Sequence, residues 1–204
     1  MEFDDVVTKR RMVRRYSSEP VPDEVVVRIL RNAARAPSAG NSQGFAFLLL
    51  DTDDGRERFW AALADTMPVV DSVRDAPVLV VPMSSEEVYL DRYAEPDKGW
   101  TDRDPARWPV PFWHIDTGMA ALLMLLTAVD EGLGALFFGI PMPALAGFRA
   151  AFGVPDSYTP VGAVALGHPE PGAGPSRPSK PRRPWRDLIH HGGWGTPLRP
   201  PAGT

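Results

Sequence analysis

Apolar residues recur along the chain with two different periods, which predict helices alternating with short strands. The clearest helix follows Pro22, because Asp23 and Glu24 suit a helix start and Pro37 closes the far end. We expect its apolar face to comprise Val25, Val26, Ile29, Leu30 and Ala33.

The remaining pattern predicts one layered domain over residues 1–204. Further helices are predicted at 3–12, 56–65 and 114–131, and strands at 45–50, 77–83, 135–138 and 161–166. Because these elements alternate irregularly around what reads as one sheet, we expect an α/β or α+β fold. The length suits a single core.

The segment 114–131 is apolar on nearly all sides, which is typical of a buried helix. Two interpretations fit it: the central core helix of a monomer, or a helix at a dimer interface. Its longest apolar run, 118–129, is shorter than the ~20 residues that span a bilayer, so we expect no membrane partner.

Two segments differ from the rest in composition. Residues 84–112, here called the insert, combine aromatic side chains with charges and prolines, which favours an active-site lid over disorder. The stretch from 169 to 204, the C-terminal arm, is rich in Pro, Gly and Arg. It has too few apolar residues to pack alone, and we expect it to extend across a partner surface.

Composition excludes several classes of site and partner. The chain has no cysteine, so thiol catalysis and Cys-based zinc sites are excluded, and the four histidines predict no metal site. A net charge of −4 argues against nucleic-acid binding. The acidic start, which lacks a cationic region followed by an apolar one, predicts no secretory signal and favours a cytoplasmic protein.

A local cluster of positive charge stands out against this acidity. Residues 9–16, here called the basic segment, hold five cations within positions 9–15, and five more lie between 177 and 186. Together they account for 10 of the 22 Lys and Arg residues. Guanidinium groups bind phosphate through paired hydrogen bonds, so the two groups are either halves of one anion site or solvated patches. Helical spacing would place Arg10 and Arg14 on one face.

Two further motifs suit contact with a flat ligand. Residues 37–43, here called the serine loop, read Pro-Ser-Ala-Gly-Asn-Ser-Gln and supply polar groups beside a permissive Gly40. Residues 132–139 pair a helix-ending Gly132-Leu133-Gly134 with a strand that finishes at Gly139. Each motif alone is an ordinary connection.

Taken in order, these motifs resemble the FMN-dependent nitroreductase superfamily along essentially the whole chain. The resemblance is carried by residues 10–14, the serine loop, residues 132–139 and Lys180-Pro181-Arg182. It implies an α+β fold with three α/β/α layers and a mixed, largely antiparallel sheet. It also implies a homodimer that exchanges terminal segments and has FMN sites at its interface.

The resemblance also implies which residues contact FMN. The basic segment would bind the phosphate and pyrimidine edge, the serine loop would come from the other subunit, a backbone amide near the end of the strand would face flavin N5, and the arm would reach the phosphate. The expected contacts are Arg10, Arg11, Met12, Arg14, Pro37, Ser38, Ala39, Asn41, Gln43, Phe137, Phe138, Gly139, Lys180 and Arg182.

Some positions depart from the family pattern. Met12 stands where the flavin-cleaving branch carries a catalytic Asp, so flavin destruction is not expected. Gly44-Phe45 replaces the Pro-Trp of many relatives, which implies more room near the ring, and no counterpart of a pyrimidine-binding Asn is evident at 69–71. The halotyrosine-dehalogenating branch has its lid before the second strand, whereas the insert follows it here.

The implied activity is reduction of nitroaromatics, quinones or similar flat small molecules by hydride transfer from NADH or NADPH through FMN. No catalytic side chain is implied. The alternatives are an FMN-dependent oxidative dehydrogenase in biosynthesis and a flavin-binding protein without turnover. The candidate substrate contacts are Gly40, Tyr89, Arg92, Tyr93, Lys98 and Trp108.

Overall fold

The computed structural model describes residues 1–64, 66, 71–172 and 181–198. Contacts divide the chain into two compact units, Met1–Ala173 and Gly174–Thr204. The predicted contact Lys180 and the positions 69 and 70 lie outside the described residues.

The first unit alternates helices with strands. Its described helices are α1 Phe3–Lys9, α2 Asp23–Ala33, α3 Asp53–Leu63, α4 Asp71–Arg74, α5 Glu86–Ala94, α6 Phe112–Asp130 and α7 Leu145–Phe152. Its described strands are β1 Phe45–Leu50, β2 Val78–Ser84, β3 Gly134–Phe138, β4 Thr159–Pro160 and β5 Ala163–Gly167. Short 3-10 turns lie at Ala39–Asn41, Pro105–Arg107 and Met142–Ala144.

The strands form one sheet in the order β1-β2-β5-β3, and β4 also pairs with β2. All these pairs are antiparallel, with Leu48 opposite Val81 and Leu136 opposite Ala165, for example. The parallel element is an isolated bridge between Met12 and Ala135. The expected α+β fold with a largely antiparallel sheet is therefore confirmed.

Side chains alternate between the two faces of the sheet and form two cores, as the period of two requires. On one face Val80 and Val164 pack with α2 and α6, and on the other Leu79 and Ala165 pack with α3 and α7. The helices thus form the two outer layers of the predicted α/β/α arrangement.

The helix α6 is buried on one side only, contrary to an all-round core helix. Ala120, Met124 and Ala128 face the sheet and α2, whereas Ile115, Met119 and Leu122 are exposed. By length and composition this 19-residue helix would be apolar enough to cross a membrane, but half of its apolar window is buried inside the protein. A partly covered, partly open apolar helix favours the interface interpretation over the monomer core.

Three expectations about local structure are corrected. Helix α1 ends at Lys9, so most of the basic segment is not helical. The apolar run 45–50 predicts a buried strand, but strand β1 lies at the end of the strand order and is half-buried. The charges and prolines of the insert predict a long irregular segment, but it contains helix α5 and is ordered by a cluster of aromatic side chains.

In the second unit the described residues 181–198 contain a 3-10 turn, Trp185–Leu188, and a bridge between His190 and Pro197. Trp185, Leu188, Ile189 and Trp194 are all exposed. This unit therefore has apolar side chains that its own described residues leave uncovered.

Candidate functional site

The basic segment lies alongside the sheet instead of continuing α1. The Val13 amide donates to the Ala135 carbonyl at 2.9 Å, and Met12 is bridged to the same residue. Further along, Tyr16 is bridged to Pro169, and the Ser17 amide donates to the His168 carbonyl at 2.9 Å. Backbone pairing at both ends thus sets the path of this segment.

Gly134 allows the segment to come this close to β3. A Cβ built at Gly134 would lie 2.8 Å from the Cβ and Cγ1 atoms of Val13, closer than side chains pack. Val13 is buried and belongs to one of the two cores, so its side chain is packed on other sides as well. Gly134, which the sequence predicts as part of a helix end, therefore also allows the basic segment to pack against β3.

The buried side chain of Tyr16 forms hydrogen bonds that hold the same segment. The Tyr16 hydroxyl donates to the Val13 carbonyl at 2.7 Å and also lies 3.2 Å from the Ala165 carbonyl. Burial raises the pKa of Tyr16 well above its usual range, because the phenolate would lose its hydration. The neutral hydroxyl is thus a structural donor.

The four arginines of this segment differ in exposure, and Lys9 forms an ion pair with Asp5. Arg10 and Arg14 are half-buried, while Arg11 and Arg15 are exposed. Within the described part of the chain, none of these four guanidinium groups forms a salt bridge or a side-chain hydrogen bond. Because Arg side chains normally gain stability by pairing, this set suits an anionic ligand.

The serine loop has an unusual backbone. Gly40, Asn41 and Gln43 all have φ values between 52° and 62°, the left-handed region that L-residues other than glycine rarely adopt. Each of the two non-glycine residues costs about 1–2 kcal/mol in that conformation. Such a backbone persists only where surrounding contacts hold it.

Hydrogen bonds inside the loop supply part of that support. The Ser38 hydroxyl accepts from the Gln43 amide at 2.9 Å, and the Ser42 hydroxyl donates to the Ala39 carbonyl at 2.6 Å. The Gln43 side-chain amide lies 3.3 Å from the Asn41 side-chain oxygen. The loop is thus closed on itself from both ends.

Two side chains outside the loop hold its centre. The Asp116 carboxylate on α6 accepts from the Ala39 amide at 2.8 Å, and the Arg92 Nε on α5 donates to the Gly40 carbonyl at 2.9 Å. The guanidinium of Arg92 is itself held by two hydrogen bonds to Asp97, at 2.7 and 2.8 Å. The loop is therefore attached to the insert and to the central helix.

Glycines bring the loop close to tyrosines of the insert. A Cβ at Gly40 would lie 2.8 Å from the Tyr93 ring, and one at Gly44 would lie 2.6 Å from the Tyr89 ring. The Ser85 amide also donates to the Gly44 carbonyl at 2.8 Å. The space that a larger residue would fill at Gly44 is therefore taken by Tyr89, not left open.

The end of β3 has one open position. Phe138 stacks on Trp60 with ring centroids 5.8 Å apart, and Phe137 packs close to Gly162. A Cβ at Gly139, by contrast, would meet nothing within 4 Å. The backbone at Gly139 is exposed, so a flat ligand has access to this strand end.

The insert residues predicted to contact substrate are not equivalent. Tyr89 is fully buried, and Arg92 is occupied by Gly40 and Asp97. Tyr93 and Trp108 pack edge to face with centroids 4.5 Å apart, and Lys98 lies over the Tyr93 ring at 5.3 Å. Lys98 is exposed, whereas Tyr93, Trp108 and Arg92 are half-buried.

The predicted contacts fall into three groups. Met12 pairs with the same strand that carries Phe137, Phe138 and Gly139, so these form one group. The serine loop joins the insert and α6, and within the described residues no hydrogen bond or salt bridge links it to the basic segment. Arg182 is exposed in the second unit, and its role stays a prediction.

Sequence reasoning missed Asp116. It is 4% exposed, and its Oδ2 atom accepts both the Ala39 amide and, at 2.7 Å, the Tyr89 hydroxyl. Burial and this carboxylate together raise the pKa of Tyr89 well above its usual range. An acidic residue within an apolar helix was a visible signal, since charges are rarely buried without partners.

A polar cavity lies at the start of the insert. It has a volume of about 270 Å³ and is lined by residues that include Ser84, His114, Glu86 and Asp156. The Ser84 hydroxyl lies 2.7 Å from His114 Nδ1, and burial lowers the pKa of His114 despite the opposing effect of Glu86. This pair was not predicted either.

Comparison with known proteins connects these features. The model of the Nitroreductase family matches residues 7–168, which include the basic segment, the serine loop, the insert and β3. A Methanothermobacter thermautotrophicus protein named as an NADH dehydrogenase/NAD(P)H nitroreductase is 28% identical over 171 residues, 83% of this chain and 78% of that protein. An NADPH-dependent oxidoreductase of Staphylococcus aureus is 25% identical over 191 residues, 92% of this chain and 72% of its own.

Solved structures share the fold. A nitroreductase-type protein from Exiguobacterium sibiricum, in complex with FMN, has a TM-score of 0.73 at 22% identity over 93% of this chain and 96% of that one. A second FMN complex, from Desulfovibrio desulfuricans, has a TM-score of 0.66 at 27% identity over 93% of this chain and 95% of that one.

Proposed function

Because the chain belongs to the nitroreductase family, we propose that it is an FMN-dependent oxidoreductase that uses NADH or NADPH to reduce flat electron acceptors such as nitroaromatics and quinones. The family resemblance inferred from the sequence is confirmed. Relatives named as NAD(P)H-dependent enzymes and neighbours solved with FMN support both cofactors.

One observation of the geometry carries the proposal. The basic segment is fixed against β3 by the Val13–Ala135 hydrogen bond and by Gly134, yet its guanidinium groups have no partner among the described residues. The open backbone of Gly139 ends the same strand. A phosphate-bearing flat ligand would satisfy the cations and cover this strand end.

We assign the binding roles accordingly. Arg10, Arg14 and Arg11 would hold the phosphate and the pyrimidine edge, with Met12 between them, and Lys180 and Arg182 would add to the phosphate site. A backbone amide near Phe138 or Gly139 would face the flavin ring. When bound, FMN supplies the hydride chemistry, and cations beside its pyrimidine would stabilise the reduced anion.

The homodimer is part of the proposal. Exposed Ile115, Met119 and Leu122 repeat at helical spacing on α6 and leave an apolar stripe that a second copy would bury. In such a dimer the serine loop of one protomer, with Pro37, Ser38, Ala39, Asn41 and Gln43, would meet the basic segment of its partner. This arrangement would explain why one chain leaves the two motifs unconnected.

The substrate would stack on the flavin beside the insert. Tyr93, Lys98 and Trp108 retain accessible surface there, and Gly40 lies close to the Tyr93 ring. Tyr89 and Arg92 would support the loop through hydrogen bonds to Asp116 and to the Gly40 carbonyl. The cytoplasm, which supplies reduced nicotinamide nucleotides, is the proposed location.

The absorption spectrum of the purified protein tests the central claim. Flavin bands, or their appearance after adding FMN, are expected, and their absence would contradict the proposal. Oxidation of NADH or NADPH with a nitroaromatic then separates a reductase from the two alternatives. Bound flavin that neither nucleotide reduces would favour an oxidative dehydrogenase or a flavin-binding protein.

A double substitution tests the shared phosphate site. Arg10→Ala combined with Arg182→Ala is expected to weaken FMN affinity about a hundredfold or more, because each lost charge-assisted hydrogen bond costs about 1.5–3 kcal/mol and about 1.4 kcal/mol corresponds to a factor of ten. Unchanged affinity would remove these two arginines from the phosphate site.

A further inference from the structure

We propose that Asp116 is a positioning residue for FMN: its buried carboxylate, braced by the Tyr89 hydroxyl, fixes the Ala39 amide and with it the serine loop. This inference rests on the proposed function, because it takes the serine loop as part of the FMN site. Asp116 itself is placed behind the loop and is not assigned a contact with the flavin.

The first step is the burial of the carboxylate. Asp116 is 4% exposed and forms no salt bridge within the described residues. A buried carboxylate is strongly destabilising unless hydrogen-bond donors compensate it. The hydrogen-bond donors that contact the Asp116 carboxylate therefore indicate its role.

Those donors come from two different elements. The Ala39 amide, 2.8 Å away, belongs to the serine loop, and the Tyr89 hydroxyl, 2.7 Å away, belongs to α5 of the insert. Both reach the same oxygen, Oδ2. One atom on α6 thus joins the loop to the insert.

The third step is the conformation of the residue that follows Ala39. Gly40 has a φ of +62° and Asn41 one of +54°, and the Arg92 Nε donates to the Gly40 carbonyl at 2.9 Å. Two consecutive residues of the loop are therefore held by side chains, one through its amide and the next through its carbonyl. Left-handed backbone at functional sites is kept by such contacts and relaxes without them.

The alternative is that Asp116 only stabilises the fold. The two roles differ in what a substitution changes, because a purely structural residue would lower stability without a specific effect at Ala39 or on FMN. Thr117, the next residue on α6, offers a matched control because it is fully buried. Its hydroxyl donates to the Trp113 carbonyl within the same helix at 2.7 Å.

The decisive variants are Asp116→Leu and Asp116→Asn. Leu removes both acceptor oxygens, so FMN affinity should weaken about tenfold or more and the Ala39 amide should exchange with deuterium about tenfold faster. Asn keeps one oxygen that can accept hydrogen bonds from both donors, so the FMN affinity of Asp116→Asn should stay within about threefold of that of the native protein. Thr117→Val should change neither quantity by more than about twofold.

Three results would overturn the proposal. The first is a folded Asp116→Leu protein with native FMN affinity. The second is a loss of FMN affinity that is equal in Asp116→Leu and Thr117→Val. If the Leu variant does not fold, Tyr89→Phe decides, because it removes only the bracing hydroxyl. Native FMN affinity and native Ala39 exchange in Tyr89→Phe would then be the contradicting result.

Failure of the proposed function would look different. If the native protein binds no FMN, the assignment of the cofactor fails. Hydrogen exchange at Ala39 in flavin-free protein still reports whether Asp116 holds the loop, so the two outcomes are distinguishable.

Discussion

The basic segment and the serine loop are held in place by different means. The basic segment lies on β3 through backbone hydrogen bonds and a glycine, whereas the serine loop, with its left-handed residues, is held largely by the side chains of Asp116 and Arg92. In each case a buried tyrosine hydroxyl completes the support, Tyr16 for the first and Tyr89 for the second. We therefore expect substitutions to affect one region without the other.

Gly134→Ala should have the largest effect. The new Cβ would lie 2.8 Å from Val13, and such overpacking costs about 1–3 kcal/mol. Displacement of the basic segment should weaken FMN affinity about tenfold and expose the Val13 amide to exchange, while the Ala39 amide stays protected. Chemical denaturation, flavin titration and hydrogen exchange measure these three effects.

Gly147→Ala is the matched control for that substitution. Gly147 lies within α7, where the nearest atom to a new Cβ is the Ala62 carbonyl oxygen at 3.8 Å. This change should stabilise the protein slightly, by about 0.5–1 kcal/mol. An equal loss of flavin affinity in both variants would contradict the role given to Gly134.

Gly40→Ala should have the next largest effect, on the other region. A side chain at φ +62° costs about 1–2 kcal/mol, and its Cβ would also approach the Tyr93 ring to 2.8 Å. Here the Ala39 amide should exchange faster while the Val13 amide is unchanged. The reverse pattern would show that the two regions are not supported independently.

Arg14→Ala and Arg15→Ala compare two adjacent cations of the basic segment. Arg14 is half-buried and Arg15 is exposed, so we expect Arg14→Ala to weaken FMN affinity about tenfold and Arg15→Ala less than about twofold. Flavin titration at one fixed ionic strength measures both. An equal loss of FMN affinity in the two variants would indicate a diffuse electrostatic effect instead of specific contacts.

The smallest effect concerns the two tyrosines and appears only at high pH. Both folded-state pKa values are raised above the unfolded value of about 10, so stability is complete below that pH and falls as the pH rises above it. Each tyrosine should contribute a slope of about 1.4 kcal/mol per pH unit to the free energy of unfolding.

Tyr89→Phe should remove about half of that alkaline slope and leave the part due to Tyr16. Denaturant unfolding between pH 9 and about 11.5 measures it. A slope identical to that of the native protein would mean that Tyr89 is not held neutral by its burial against Asp116.

Much of the fold was predictable from local pattern. Val26, Ile29 and Ala33 are buried as the helical spacing of α2 predicts, and Phe59, Trp60 and Leu63 are buried on α3. The aromatic insert was recognised as a distinct segment and as a lid rather than disorder, but the way in which it is ordered was not predicted. That order comes from ring packing among Tyr93, Trp100 and Trp108, which sequence spacing alone does not reveal.

The sequence by itself determined the periods of the helices and strands, the local excess of positive charge and the motifs of a flavoprotein family, because these depend on residue type and spacing. Only the tertiary structure decided that Val13 packs against Gly134 and that helix α1 ends at Lys9, before most of the basic segment. It also decided that one oxygen of Asp116 accepts hydrogen bonds from both Ala39 and Tyr89. Such contacts join residues far apart in the chain, and burial, not local preference, makes them necessary.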